Sequence, residues 1–365
     1  MSKNILLTGA NGFIGSHILS LLLTSHHHIL AIVRSPSKAT KLTLNFTSHP
    51  QSANLELGIV PDITVPGAFA SVIESAQASR PLDIVIHTAS PFLYRVVENN
   101  IEFLDPAIKG TLEILRAVKE GAGSVKRVVV TSSCAAVIDF DADVVQVPRK
   151  VYTEEDWNPR TWEEALGGSP NAGYQASKKF AEKAEGGYRR SDVDVFPAWD
   201  FLDTEKPAFD LVTLAPPMVY GPLRHSVESI KDLNQSNGRI YNLFINSTQE
   251  APEPPNGLHL YVDVRDLAKA HLLAALTPSA SNSRLLICVG SVSSQEISDL
   301  LRSNIPELET RTPRGNPGMR GLDENAYGAS SGKAERVLGL RYRGKEETFV
   351  ELARQLLGIE REEVV

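Results

Sequence analysis

The sequence predicts an α/β fold built on a doubly wound parallel sheet, and three observations support this. Short runs rich in Val, Ile and Leu alternate with longer helical patterns up to Pro222. The runs are almost continuously apolar, as in strands that are covered on both faces. A repeated strand–helix–strand pattern also favours parallel strands joined by crossovers. The predicted strands are Ile5–Leu7, Ile29–Val33, Leu55–Val60, Ile84–His87, Val128–Thr131, Leu211–Leu214 and Leu285–Val289.

Apolar residues at helical spacing predict the helices that connect these strands. We expect Pro106 to kink or interrupt the third of them, because proline removes a backbone donor. Asp263 is a suitable N-cap for a later helix. The predicted helices are Gly12–Leu23, Ala68–Ser79, Asn99–Glu120, Ala172–Tyr188, Val264–Leu276 and Glu346–Leu357.

The composition is that of an ordinary globular protein and excludes several classes of function. The chain has 365 residues, is 42% hydrophobic and 22% charged, and carries a net charge of −7. No run approaches the roughly 18 apolar residues of a membrane span, and a mildly acidic protein is a poor general nucleic-acid binder. Only Cys134 and Cys288 are cysteines, both in apolar runs, which is typical of reduced core thiols. We therefore expect a cytoplasmic protein that binds no metal, membrane or nucleic acid.

The charge is unevenly distributed along the chain. Residues 1–55 contain no Asp or Glu and carry a net charge of +4, whereas the other 310 residues carry −11. A basic segment in an acidic protein suggests an anionic ligand there, with a solvated basic face as the alternative.

A glycine-rich motif lies at the end of the first predicted strand. The run TGANGFIG places glycines at Gly9, Gly12 and Gly15 and opens the first helix. Glycine lets the backbone turn tightly and approach a pyrophosphate. The amino terminus of the helix then supplies free N–H groups and a positive dipole. In this position the motif predicts a dinucleotide site.

The residues after the second strand predict which dinucleotide is bound. In NAD-binding proteins an acid at this strand end accepts hydrogen bonds from the ribose 2′-hydroxyl. Here Arg34 holds that position and Lys38 follows four residues later. A pair of cations suits a 2′-phosphate, so we predict NADP(H) rather than NAD(H).

A tyrosine and a lysine lie one helical turn apart in the segment YQASK. This spacing places Tyr174 and Lys178 on one helix face. A nearby ammonium lowers the pKa of a phenol, which can then protonate a carbonyl oxygen as a hydride reaches the carbon. Hydroxyls at the end of the fifth strand can hold that oxygen. Which serine faces the site depends on the register of the strand. We choose Ser133 for this role, with Ser132 as the alternative.

From these residues we predict a Rossmann-type NADP-binding domain over residues 1–222, whose sheet is completed by residues 258–290. Residues 223–365, where the alternation weakens, form a smaller C-terminal substrate-binding lobe. The substrate pocket should lie between the two lobes and be largely apolar.

Six segments of the sequence together form a recognisable set. They are TGANGFIG, HTASPF, VVVTSSCAAV, YQASK, PPMVYGP and YVDVRDLAKAH. With these segments the chain resembles the extended short-chain dehydrogenases/reductases. The resemblance is closest to the NADPH-dependent methylglyoxal/aldehyde reductases of yeasts and other fungi, beside plant dihydroflavonol and cinnamoyl-CoA reductases. It covers nearly the whole chain, including LGLRYRGKEET near its end.

The resemblance implies a role for particular positions. The catalytic triad falls on Ser133, Tyr174 and Lys178, the last two of which also contact the cofactor. The other implied cofactor contacts are Gly9, Ala10, Asn11, Gly12, Phe13 and Ile14 at the dinucleotide, Arg34 and Lys38 at the 2′-phosphate, Asp62 and Ile63 beside the adenine, Thr88, Ala89 and Ser90 towards the nicotinamide, Pro216 and Val219 at its carboxamide, and Ser236.

The chain departs from the family pattern in two places. The link Val193–Phe209 looks longer than usual and contains Trp199 and Phe201. We expect it to be a surface excursion, with a lid over the substrate as the alternative. The family often has Asn-Pro where this chain has Ala215-Pro216, so contacts near the nicotinamide are expected to differ.

The expected activity is NADPH-dependent reduction of an aldehyde or ketone to an alcohol, with a small-molecule carbonyl compound as substrate. A sugar-nucleotide epimerase or dehydratase of the same superfamily is the first alternative, and a non-catalytic NADP(H) sensor is the second. The sequence leaves the identity of the substrate open and allows a monomer or a homodimer.

Overall fold

The computed structural model describes residues 2–90, 99–183 and 197–363. The strands are β1 (Asn4–Thr8), β2 (His28–Val33), β3 (Leu55–Ile59), β4 (Ile84–His87), β5 (Arg127–Thr131), β6 (Val151–Tyr152), β7 (Asp210–Ala215), β8 (Met218–Tyr220), β9 (Leu260–Asp263), β10 (Ser283–Leu286), β11 (Gly290–Ser291) and β12 (Gly328–Ala329). The helices are α1 (Phe13–Thr24), α2 (Pro36–Phe46), α3 (Ala70–Ser79), α4 (Ile101–Gly121), α5 (Trp162–Gly167), α6 (Pro170–Glu182), α7 (Ala198–Glu205), α8 (Gln235–Ile240), α9 (Val264–Leu276), α10 (Ser294–Asn304), α11 (Gly332–Leu338) and α12 (Lys345–Glu363).

A seven-stranded sheet forms the centre of the molecule. Its strand order is β10-β7-β5-β4-β1-β2-β3, and every neighbouring pair is parallel. The chain adds β2 and β3 on one side of β1 and then crosses back to place β4 on the other side. This reversal between β1 and β4 confirms the predicted doubly wound, Rossmann-type sheet. Ligands bind such sheets outside the carboxyl ends of the strands at the reversal.

Helices cover both faces of the sheet, which explains the apolar strands. Along β1, Ile5 and Leu7 pack against one core that contains Leu19 of α1. The intervening Leu6 faces the opposite core, which contains Leu112 of α4. Because successive side chains of a strand point to opposite faces, each central strand must be apolar along its whole length.

A third core lies in the C-terminal part of the chain. There α10 and α12 pack around buried aromatic residues that include Tyr220, Tyr261 and Phe349. The small sheet β11-β9-β8 contributes to the same core, whereas β10 returns to the main sheet beside β7. Within the described residues, no helix combines the length and apolar character needed to cross a bilayer.

Two details of the helices differ from the sequence predictions and a third agrees. Pro106 lies within α4 without interrupting it. The triad helix α6 ends at Glu182, because Lys183 has an extended backbone, and residues 184–188 of the predicted helix lie outside the described residues. Asp263 caps α9 as predicted, since its side chain accepts the backbone N–H of Arg265 at 2.8 Å.

The segment expected to be a surface excursion is instead packed against the sheet. In α7, Phe201 is fully buried in the core that contains Leu211 of β7. Trp199 is partly buried against the same core and donates its Nε1–H to Glu182 at 3.3 Å. Burying these two aromatic side chains anchors α7 beside the triad helix, so both the excursion and the lid interpretations are wrong for them. Residues 193–196 of this segment lie outside the described residues.

Candidate active site

The glycine motif forms a tight turn between β1 and α1. Gly9 has a φ of +69°, and its carbonyl accepts the N–H of Gly12 at 3.0 Å. Gly12 is the N-cap of α1, and no side chain of the described residues caps that helix end. The first N–H groups of α1 therefore face the edge of the sheet, where an anionic phosphate can accept them.

Two glycines of this turn are required by close packing. A Cβ on Gly9 would lie 2.6 Å from Thr88 Oγ1 and 2.9 Å from the backbone nitrogen of Ala89. A Cβ on Gly15 would lie 2.1 Å from the carbonyl oxygen of Gly9. The first turn of α1 and the segment after β4 can therefore pack directly against this turn only because Gly9 and Gly15 carry no Cβ.

The side chains of two threonines join the ends of β1 and β4. Thr8 Oγ1 accepts the backbone N–H groups of Thr88 and Ala89, each at 3.1 Å, and lies 3.0 Å from His87 Nδ1. Thr88 Oγ1 in turn donates to the carbonyl oxygen of Thr8 at 2.7 Å. Burial lowers the pKa of His87 to about 4, so this imidazole is neutral at physiological pH.

Helix α6 carries Tyr174 and Lys178 to the same edge of the sheet. Ser169 caps the helix, because its hydroxyl accepts the N–H of Ala172 at 3.3 Å. Lys178 Nζ lies 5.4 Å from the centre of the Tyr174 ring and donates to Ser90 Oγ at 2.9 Å. Desolvation lowers the pKa of Lys178 to about 8. The lysine therefore connects the tyrosine helix to the segment after β4.

The two serines after β5 point in different directions. Ser133 lines a cleft of about 370 Å³ together with Tyr174. Ser132 instead donates its hydroxyl hydrogen to the buried carboxylate of Glu182. The structure thus brings Ser133, the preferred choice of the sequence analysis, into one cleft with the tyrosine.

The remaining walls of this cleft are apolar or carry amides. Within the described part of the chain, no charged side chain lines it. Phe140 follows β5, Gln235 begins α8, and Phe103 comes from α4 and gave no signal in the sequence. The lining residues besides Ser133 and Tyr174 are Phe103, Cys134, Ala135, Phe140, Pro170, Asn171, Gln175, Pro217, Met218, Gln235 and Leu258. A larger, open cavity of about 1040 Å³ lies between α10 and the segment before β12, away from these strand ends.

The two predicted phosphate-binding cations lie beyond the end of β2. Arg34 is exposed, and Lys38 lies in the first turn of α2, which Ser35 caps. Neither forms an ion pair with any residue of the described segments. Lys38 and Asn11 line a second cleft, of about 430 Å³. An anionic group in this cleft can therefore be reached by Asn11 of the glycine turn and by Lys38. Arg34 is not among the residues that line the cleft, which also carries Lys41, Glu228 and Asp232.

Three further predicted cofactor contacts, Asp62, Ile63 and Ser236, lie after β3 and beside β8. Asp62 and Ile63 follow β3, where the Asp62 carboxylate accepts the N–H of Thr64 at 2.9 Å. This hydrogen bond and a second one from the hydroxyl of Thr64 lower the pKa of Asp62. Ser236 is buried and donates to the carbonyl oxygen of Val219. Ser236 therefore holds β8, to which Val219 belongs.

The cysteines fit the expectation of core thiols. Cys134 and Cys288 are free and buried, and burial raises the pKa of both thiols. The described residues contain no group of His, Cys, Asp and Glu side chains arranged to hold a metal ion.

A Rossmann-type sheet with these residues at its strand ends defines the class of extended short-chain dehydrogenases/reductases. The chain belongs to the NAD dependent epimerase/dehydratase family, whose model matches residues 5–290.

Several relatives are similar to the chain over nearly its full length. A ketoreductase of Aspergillus niger is 37% identical over 343 residues, which cover 94% of each chain. An NADPH-dependent methylglyoxal reductase of Saccharomyces cerevisiae is 35% identical over 98% of this chain and 99% of its own.

Solved structures agree with these sequence relatives. The crystal structure of yeast methylglyoxal/isovaleraldehyde reductase Gre2 with NADPH matches with a TM-score of 0.85 at 33% identity, covering 98% of this chain and 99% of that chain. Vestitone reductase from alfalfa shares the fold at 22% identity, with a TM-score of 0.69 and full coverage of both chains.

We expect Gly9→Ala to destabilise the protein and to weaken dinucleotide binding. Gly67→Ala is the matched control, because Gly67 has a φ of +74° but nothing in the described residues lies within 4 Å of its Cβ. Backbone strain alone should cost about 1 kcal/mol in the control, and the clash with Thr88 should cost Gly9→Ala about 1–3 kcal/mol more. Urea denaturation measures the free energy of unfolding of both variants, and fluorescence titration measures their Kd for NADPH. Equal losses of stability in the two variants would show that the turn has room for a Cβ.

Proposed function

We propose that this protein reduces an aldehyde or ketone to an alcohol with NADPH. The observation that carries the proposal is the single cleft lined by Ser133 and Tyr174, with Lys178 one helical turn from the tyrosine. Relatives with 35–37% identity that are named as a ketoreductase and as an NADPH-dependent methylglyoxal reductase support the same chemistry.

Each of the three side chains has a distinct role in this reaction. Bound NADPH supplies a hydride to the carbonyl carbon. Tyr174 donates its phenolic proton to the carbonyl oxygen, and Ser133 holds that oxygen by a hydrogen bond. The ammonium of Lys178 stabilises the phenolate that remains. The products are the alcohol and NADP⁺.

The residues at the strand ends fit NADPH. The free N–H groups of α1 and the turn Gly9–Ile14 suit the pyrophosphate. Arg34 and Lys38 suit the 2′-phosphate, because both are cations without an ionic partner in the described residues. The remaining proposed contacts are Asp62 and Ile63 at the adenine, and Thr88, Ala89, Ser90, Pro216 and Val219 at the nicotinamide end. Ser236 acts indirectly, because its hydroxyl holds the carbonyl oxygen of Val219.

The lining of the cleft indicates which carbonyl compounds fit. Phe103, Phe140, Met218 and Leu258 provide apolar surface, and the polar groups between them are neutral amides and hydroxyls. Among the described residues, a substrate with a phosphate or carboxylate would lose its hydration there without gaining a cation from the cleft lining. We therefore propose a small, uncharged aldehyde or ketone as the substrate.

The two alternatives from the sequence analysis predict other outcomes. An epimerase or dehydratase recycles its bound dinucleotide, whereas a reductase releases one NADP⁺ for each alcohol formed. A sensor would consume no NADPH in a screen of aldehydes and ketones. The pair Arg34 and Lys38 and the complete set Ser133, Tyr174 and Lys178 favour the reductase. With two buried free thiols, we also propose a cytoplasmic location.

We expect Tyr174→Phe to lower kcat by about 10²–10⁴-fold, because it removes the proton donor and keeps the ring. The Kd for NADPH, measured by fluorescence titration, should stay within about twofold. Tyr152→Phe is the control, because this tyrosine is buried outside the cleft and should leave kcat unchanged. A Tyr174→Phe enzyme with normal turnover would refute the assignment of the proton donor.

The double variant Arg34→Asp, Lys38→Ala should raise the Kd for NADPH by about 10²-fold or more, since a phosphate would lose two cations and meet an anion. Its Kd for NADH, which lacks the 2′-phosphate, should change little. Lys3→Ala controls for the general loss of charge, because Lys3 lies at the opposite edge of the sheet and pairs with Asp83. Equal weakening of NADPH and NADH would contradict the assignment.

The lowered pKa of Lys178 predicts the dependence of the reaction on pH. The ammonium is present below pH 8 and is lost as the pH rises through about 8. The kcat/KM for NADPH reports ionisations of the free enzyme and should therefore fall above that pH. In Lys178→Arg the charge persists, so any residual activity should not fall at this pH. The same midpoint in both proteins would show that another group is titrating.

A further inference from the structure

A buried carboxylate occupies the triad helix one turn beyond Lys178, and the proposed reaction does not use it. Glu182 is 2% exposed and accepts hydrogen bonds from four side chains on four elements. Its donors are Ser132 Oγ after β5, Thr213 Oγ1 in β7 at 3.0 Å, Trp199 Nε1 in α7 at 3.3 Å and Arg284 Nε in β10 at 3.1 Å.

The partner Arg284 is also buried, and its guanidinium holds the turn that follows Ser133. One of its terminal nitrogens donates to the carbonyl oxygens of Glu154 and Asp156, both at 2.7 Å. The other donates to the carbonyl oxygen of Ala136 at 3.1 Å. The guanidinium lies 3.6 Å from the centre of the Trp157 ring. This planar, multiply bonded geometry is specific to arginine.

Ser133 therefore lies between two points that the ion pair fixes. Glu182 holds the preceding residue, Ser132, and Arg284 holds Ala136, at the end of the following turn. The N–H of Cys134 is in addition held by the carbonyl oxygen of Pro216 at 2.8 Å. Because Glu182 shares a helix with Tyr174, the pair also fixes that helix against the end of β5.

We propose that the Glu182–Arg284 ion pair is a positioning unit, which sets the placement of the Ser133 hydroxyl relative to the Tyr174 phenol. The inference rests on the proposed roles of these two hydroxyls in carbonyl reduction. A displacement of about 1 Å between groups that act on one oxygen can cost about 10²-fold in rate. A buried, multiply bonded pair restricts such displacements more strongly than apolar packing, because each hydrogen bond has a direction.

The chemistry of the donors explains why position 182 needs a carboxylate. All four partners donate hydrogen, and an ionised carboxylate only accepts. In Glu182→Gln one amide NH₂ must face a donor. The indole and the guanidinium cannot accept, so the NH₂ turns to Ser132 and reverses that hydrogen bond. The variant keeps the shape of the side chain while it disturbs the residue before Ser133.

The test uses Glu182→Gln and Arg284→Lys beside two matched controls. Glu113→Gln changes another buried glutamate, which accepts the N–H of Gly67 at 2.9 Å far from the cleft. Arg127→Lys changes another buried arginine, which pairs with Asp210 at the amino edge of the sheet. We expect kcat to fall about 10–100-fold in the two test variants, with the Kd for NADPH within twofold. The controls should lose stability and keep kcat.

A double-mutant cycle with Ser133→Ala separates positioning from general damage. If Glu182 acts through Ser133, adding Glu182→Gln to Ser133→Ala should lower kcat by less than about twofold. An additional loss equal to that in the wild-type background would overturn the proposal, as would an unchanged kcat in Glu182→Gln. A normal kcat in Ser133→Ala itself would instead refute the proposed role of Ser133, and the inference with it.

Ser132→Ala keeps the test decisive if replacing either member of the ion pair prevents folding. This variant removes only the hydrogen bond between Ser132 and Glu182 and leaves the ion pair intact. We expect kcat to fall several-fold. The melting temperature should fall by only a few degrees, because one hydrogen bond to a buried carboxylate is lost. A normal kcat would show that the pair does not act on this strand end.

Discussion

Parallel pairing in register aligns the strand ends on which every part of the site depends. Thr8 of β1 lies opposite His87 of β4, and His87 lies opposite Val130 of β5. The residues that follow each strand therefore emerge at one level. A shift of two residues in either pairing would move the end of that strand by about 7 Å. The glycine turn, the segment after β4 and Ser133 would then no longer face one ligand.

Buried polar groups hold this alignment on both sides of the reversal point. Between β1 and β4 the connection is made by the hydroxyl of Thr8, which accepts two backbone N–H groups. Between β5 and the triad helix it is made by Glu182, which is neutralised by Arg284. The ammonium of Lys178 donates to the neutral hydroxyl of Ser90. Desolvation disfavours its charged form, which explains the lowered pKa.

The parts of the site that the sequence predicts are those with a local signal. Short segments with a characteristic residue spacing predict these parts. They are the strands, the glycine turn, the cations Arg34 and Lys38, and the pair Tyr174 and Lys178 in YQASK. The choice between Ser132 and Ser133 depends on the backbone conformation at the end of β5, which no local sequence pattern predicts. Glu182 and Arg284 are 102 residues apart and meet only in the fold. The burial of Phe201 was missed for the same reason, because its partner surface is built by distant elements.

The two halves of the site are built from different kinds of contact, and this explains why the sequence predicts the cofactor better than the substrate. The phosphate end uses backbone N–H groups and glycines, which leave a recognisable pattern because few other residues fit. The proposed substrate cleft is lined by side chains from α4, α6, β8, α8, the segments after β5 and β7, and the segment before β9. Apolar side chains such as Phe103 and Leu258 can be exchanged for others of similar volume at small cost in stability. Substrate preference can therefore change within this fold while the cofactor turn and the reacting hydroxyls keep their positions.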